Sequence, residues 1–155
     1  MNTGIVRCLI GQRCWYVSAG GVTWPSFKLV CGDMIPREPL RNQAHPEAFR
    51  NHRGSVQLLV WCSWRLQTES TVLASSDEGE SGAKGLDALV GTTVTEVRCS
   101  APAWDLALTF SSGLVIQVFA DNFGPDPSAS QNWELWVPGR YVQAGLGEAW
   151  DEQPD

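Results

Sequence analysis

Basic residues are scarce in this chain: 11 Lys and Arg stand against 17 Asp and Glu, giving a formal charge of −6 and an isoelectric point near 4.8. Nucleic acid and anionic membranes are recognised through a basic footprint, so neither is expected as a partner. Histidine is scarcer still, with only His45 and His52, both in one segment and far in sequence from any cysteine. The five cysteines (Cys8, Cys14, Cys31, Cys62, Cys99) include no C-x-x-C pair, so no zinc site is expected, and no cofactor of any kind. No apolar run approaches the length of a membrane span. The opening "MNTGIVRCLIGQRCW" has neither an apolar core nor a cleavage site for export, and the cysteines read as buried free thiols, so the expected compartment is the cytoplasm. No nucleophile signature or phosphate loop is present either. "GLGE" near the C-terminus has no basic anchor, and nothing selects His52 with Cys62 as a base and nucleophile, so no catalytic residue is named.

Tryptophan is abundant: eight in 155 residues is about four times the usual share. Such density implies an aromatic core, a recognition surface, or both. The periodicity is that of strands. In "GSVQLLVWCSWRL" (Gly54 to Leu66), Val56, Leu58, Val60, Cys62, Trp64 and Leu66 share one face of what reads as one long strand, leaving Trp61 on the other. "DLALTF", "SSG" and "LVIQVFAD" form a hairpin turning at Gly113, and "NWELWV" places Trp133, Leu135 and Val137 inward and Trp136 outward. The Pro138-Gly139 turn leads into "RYVQAG". Only "SGAKGLDALVG" suggests a helix, with Leu86, Leu89 and Val90 on its apolar side and Gly91 ending it, after the exposed run "SSDEGES", and the charged tail "EAWDEQPD" is expected to fray apart from Trp150.

The two halves of the chain resemble each other. "LIG" at Leu9 to Gly11 matches "LVG" at Leu89 to Gly91; loops carrying Trp24 and Trp104 follow; then "SVQLLVW" matches "LVIQVF", "WRL" matches "WEL", and "TVLASS" matches "YVQAG". The expectation is therefore one mainly β domain over 1–155. It would be an internally duplicated antiparallel sandwich or barrel, with repeats at about 5–76 and 89–146 and a short helix in the 77–91 link. In this alignment Trp61 falls opposite Phe119, an outward aromatic in each copy.

Function is expected where the copies differ. The first carries "MIPREPLRNQAHPEAFRNHRG" where the second has "SSG". From Pro36 to Arg53 this insertion has a net charge of +2, leaving −8 for the rest, and it holds both histidines. Loops of such length in a compact domain are usually functional or disordered. Arg37, Arg41, Arg50, His52 and Arg53 are its candidate binding residues, the alternative being a solvated lid whose arginines pair with acidic neighbours. The second copy inserts "DNFGPDPSASQ", in which Asp121, Asn122 and Asp126 lack the spacing of a calcium loop.

The stretch from Asp105 to Gly139, "DLALTFSSGLVIQVFAD…NWELWVPG", resembles small bacterial domains of uncharacterised function in which a "DLxLxF…G…LxVF" hairpin precedes an "NWEL" strand. Those domains are similar to immunity-type proteins encoded beside polymorphic toxin loci. The resemblance covers the C-terminal third to half of the chain; its motif is structural, and it implies a binding role with no catalytic residue to carry across. The expected function is thus a non-catalytic protein-binding domain, an immunity-type inhibitor or accessory factor, acting through Trp61, Trp136, Phe119 and the arginine-bearing loop. The alternative is a Trp-lined β-barrel that binds or isomerises a small apolar ligand under the Arg37–Arg53 loop.

Overall fold

The computed structural model of the chain describes residues 3–20, 23–126, 131–145 and 149–154. The stretch from Val56 to Leu66 keeps its alternation without a break: Val56, Leu58, Val60, Cys62, Trp64 and Leu66 are buried and the residues between them half-buried. It is nevertheless two strands, which corrects the reading of one. β3 (His52–Val60) lies in a six-stranded sheet with β1 (Cys14–Ala19), β2 (Phe27–Pro36), β9 (Gln131–Val137), β10 (Arg140–Gly145) and β11 (Ala149–Pro154), in the order β1-β2-β3-β9-β10-β11. β4 (Ser63–Gln67) lies in a five-stranded sheet with β5 (Val72–Ser75), β6 (Val94–Ser100), β7 (Asp105–Phe110) and β8 (Val115–Phe119), in the order β5-β4-β8-β7-β6. At the corner the N–H groups of Trp61 and Cys62 leave the ladder and both donate to Asn132 O, at 2.8 and 3.3 Å. The alternation survives because both sheets face the same core, so the inward phase stays inward as the chain changes sheets.

All strand pairings are antiparallel, and the two sheets stack as a sandwich and do not close into a barrel. One hydrophobic cluster fills the space between them, with Trp64, Trp133, Phe27 and Phe110 as its largest wholly buried members.

The second half of the chain retraces the path of the first. β1, β2 and β3 enter the six-stranded sheet and β4 and β5 the five-stranded one; β6, β7 and β8 then enter the five-stranded sheet and β9 and β10 the six-stranded one. Each core tryptophan donates its indole N–H to a carbonyl in the loop between the first two strands of its own half, Trp64 to Pro25 O and Trp133 to Trp104 O, both at 2.8 Å. A buried indole N–H usually has such a partner. The halves meet at a bridge between Arg13 and Thr93, flanked by reciprocal bonds: Gly11 N–H to Val94 O (2.8 Å) answers Gly91 N–H to Cys14 O (2.7 Å), and Cys14 N–H to Thr92 O (2.9 Å) answers Val94 N–H to Gln12 O (3.0 Å). Gly11 and Gly91 both adopt φ 86°, a conformation that glycine reaches without penalty.

Three further corrections concern local elements. Beside the helical link, α2 (Gly79–Gly85) with a 3-10 turn at Leu86–Leu89, the chain forms a 3-10 helix at Thr3–Leu9 and the short α1 (Glu47–Asn51). Val90, expected on the apolar side of the link, is exposed. The tail pairs with β10 as the edge strand β11; the docking expected of Trp150 concerns a side chain outside the described set. Among the described residues no helix is long and apolar enough to cross a membrane.

Candidate functional site

The outward rows of the six-stranded sheet carry the unusual chemistry. Strand register sets Lys28, Leu59, Glu134 and Gln143 side by side in one row and Tyr16, Val30, Gln57, Trp136 and Tyr141 in the next, while their neighbours Leu29, Leu58, Leu135 and Val142 point into the core. Directly opposed and diagonal side chains on one face are in reach of each other.

The arginine-bearing segment covers the β1–β2 side of this face. Phe49 of α1 is buried against Tyr16, their ring centroids 4.6 Å apart, and His45 packs on Phe49 at 4.9 Å while its Nδ1 sits 3.1 Å from the Tyr16 hydroxyl. Arg37 lies 4.6 Å over the Phe49 ring and donates to Phe49 O; Arg50 Nε donates to His45 O at 3.1 Å. Two of the four arginines thus hold the segment's own shape. Arg41 and Arg53 are exposed, and among the described residues no carboxylate ion-pairs with any of the four. His52 and Arg53 belong to β3 and not to the loop, and His52 Nδ1 bonds Ala48 O at 3.0 Å. The insertion is therefore a structural cover over part of the sheet, and not simply a solvated lid.

The β9–β10 side lies outside that cover and centres on a carboxylate. Glu134 is 8% exposed, and it accepts hydrogen bonds from Trp61 Nε1 (2.9 Å) and from the Tyr141 hydroxyl, which also lies 3.1 Å from Gln143 Oε1. A buried carboxylate survives only with such donors. Trp136 packs against Tyr141 with ring centroids 5.3 Å apart, and the Lys28 ammonium stands 5.6 Å from the centre of the Trp136 ring. Burial lowers the Lys28 pKa, the Arg37 cation adds to the shift, and Glu134 opposes it. Beside Trp136 a cleft of about 190 Å³ runs along Arg53, Gln57 and the Pro138-Gly139 turn.

The lowered Lys28 pKa has a testable sign. In the folded chain the amine loses its proton below the ordinary value of 10.5, so the unfolded chain binds more protons between the two values and stability rises with pH across that window. Denaturant titrations of wild type and Lys28→Met are expected to shift in favour of wild type as pH climbs through it; a difference independent of pH would contradict the burial of this amine.

Of the residues singled out from sequence, Trp61 and Trp136 are brought together around Glu134, with Arg37 and Arg53 at the margin. Phe119 is not among them: it lies on the outer face of the other sheet, where Arg65 stands 5.3 Å from its ring. Trp61 and Phe119 do hold matching positions, each one residue beyond the valine that pairs with the other half's core tryptophan, Val60 with Trp133 and Val118 with Trp64. His52 opens β3 and Cys62 lies beyond its far end, in the corner before β4, and burial pushes the Cys62 thiol up to about 12 and Cys99 to about 11, which leaves them poor nucleophiles at neutral pH. Asp121 accepts from Ser63 N–H at 3.2 Å and Asn122 Nδ2 donates to Gln131 O at 2.8 Å, so both brace the second insertion. Among the described residues no group of three His, Cys, Asp or Glu is placed to hold a metal. Sequence reading passed over Glu134, Lys28, Tyr141 and Gln143; the available signal was that Glu134 shares the outward phase of "NWELWV" with Trp136.

Comparison of the chain with protein-family models, with curated proteins and with solved structures finds no match.

Proposed function

We propose that this chain is a non-catalytic binding protein that engages another protein through the open part of its six-stranded sheet, at Trp61, Trp136 and Tyr141 around Glu134. The observation that carries this reading is the buried Glu134 carboxylate ringed by half-buried aromatics on an outward face, where a sheet turned to solvent would carry scattered polar residues. Tryptophan and tyrosine are enriched among the few residues that dominate binding energy at protein interfaces. The net charge of −6 favours a partner with a basic surface. Within this reading the resemblance of Asp105 to Gly139 to immunity-type domains supports an inhibitor or accessory factor working in the cytoplasm.

A small-ligand site is the second reading, favoured by the cleft between Trp136 and Arg53. Its volume of about 190 Å³ falls below the roughly 300–1,000 Å³ typical of ligand pockets, which is why a protein partner is preferred.

The test is affinity capture from the native host with immobilised wild type, Trp136→Ala and Phe119→Ala, followed by binding measurements on the captured protein at two salt concentrations. A partner held by wild type and Phe119→Ala, lost from Trp136→Ala and weakened by salt, is the expected result. Equal capture by all three folded proteins, or loss only with Phe119→Ala, overturns the assignment of the surface.

A further inference from the structure

Cys14 and Cys31 face each other across β1 and β2, both wholly buried. Two details of the ladder define how they face. Gly32 N–H donates to Arg13 O at 3.0 Å, whereas the N–H and C=O of Cys14 are taken by Thr92 and Gly91. The register shifts just beyond both residues, between Cys14 and Tyr16 and between Cys31 and Met34, but Cys14 and Cys31 themselves form a non-hydrogen-bonded pair, the position at which Cα atoms of a regular antiparallel ladder approach to about 4.5 Å and side chains come closest. That separation lies within the range of roughly 4.4–6.8 Å compatible with a disulfide.

The other half of the chain provides a control. Its corresponding pair is Val94 and Phe110, in the same register, equally buried, and flanked by the corresponding bond from Ser111 N–H to Thr93 O (2.7 Å). Apolar side chains fill that slot without sulfur. Packing alone thus gives no reason for two thiols in the first half.

We propose that Cys14 and Cys31 are a redox site, a dithiol that hydrogen peroxide closes into a disulfide joining β1 to β2. The Cys14 sulfur attacks one peroxide oxygen, the O–O bond breaks, and a sulfenic acid and one water result. The Cys31 sulfur then attacks the sulfenic sulfur, the S–S bond forms, and hydroxide leaves with the thiol proton as a second water. Both sulfurs are oxidised and both peroxide oxygens reduced. The interaction with Cys31 draws the Cys14 pKa below the ordinary thiol value, and the same interaction with burial raises Cys31; the two thiols titrate as a pair, so either sulfur can attack first, and exchanging the roles of Cys14 and Cys31 leaves the products unchanged. Both sulfurs are wholly buried and the outer side of β1 is bonded at Cys14 to Gly91 and Thr92, so the oxidant enters only when this junction opens locally, and that opening sets the rate.

The experiment begins by alkylating the exposed Cys8 in the native protein, then adds hydrogen peroxide and follows intact mass. Loss of two hydrogen atoms, reversed by dithiothreitol, is expected. Trypsin cuts after Arg13, Lys28 and Arg37, so the bond should join the peptide 14–28 to the peptide 29–37. Cys31→Ser should abolish that cross-link; if this variant does not fold, mapping of the wild type decides alone. Four free thiols after oxidation, a bond mapped to any other pair, or oxidation that stops as added oxygen on one sulfur overturns the proposal.

Discussion

Trp133→Ala is expected to cost about 3–5 kcal/mol of folding stability, and Trp64→Ala a similar amount, whereas Trp61→Ala costs much less. Trp133 and Trp64 are 0% and 1% exposed at the centre of the packing between the sheets. Removing either indole leaves a cavity too large for the surrounding side chains to fill. It also strips a hydrogen-bond donor from the carbonyl of Trp104 or Pro25. With total stabilities of roughly 5–15 kcal/mol in domains of ordinary size, either change brings the chain near the unfolding threshold. Trp61 is half-buried on an outer face, so its truncation removes mainly one donor to Glu134. Denaturant midpoints of the three variants measure the contrast. Equal losses for Trp61→Ala and Trp133→Ala would contradict the division of the tryptophans between core and surface.

Phe49→Ala is expected to cost about 3 kcal/mol, although Phe49 lies in an insertion and outside the main core. Its ring contacts Tyr16, the Arg37 guanidinium and His45, so its loss detaches the segment from the sheet and should expose the β1–β2 side around Tyr16 and its strand partner Val30. Hydrogen exchange should then accelerate over residues 37–51 and at Val30, while β4 to β8 stay protected. Replacing the whole segment with a short Gly/Ser turn should add little closure entropy, since each doubling of loop length changes it by only about 0.6 kcal/mol. The penalty of that replacement therefore comes from the lost apolar cover. An unchanged midpoint for Phe49→Ala would mean that the insertion is a solvated loop after all.

Strand alternation made the inward and outward faces legible from residues alone, and the placement of Trp64 and Trp133 follows from it. The corner at Trp61 and Cys62 was not legible, because a chain that changes sheets around one core keeps its period of two. The 3-10 helix at Thr3–Leu9 buries Ile5, Val6 and Leu9, a helical spacing too short to stand out beside the strand-like stretches that follow. β11 was hidden for another reason: an edge strand tolerates charged residues, so its sequence reads as a tail. In the candidate site the outward direction of Trp136 could be read locally. The meeting of Trp61 with Glu134 could not, since they are 73 residues apart and it depends on the pairing of Leu59 with Glu134.

The reciprocal bonds around Arg13 and Thr93 and the sharing of both sheets between the halves have a consequence for the chain cut in two. Neither half owns a complete sheet: β3 relies on β9 for its outer neighbour and β4 relies on β8. A fragment ending in the α2 link, produced alone, would expose one unpaired strand edge from each sheet and an uncovered apolar face, the conditions for aggregation. Supplied together, the two fragments are complementary along every exposed edge, so they should reconstitute one body by association in trans, with neither fragment acting as a folding unit by itself.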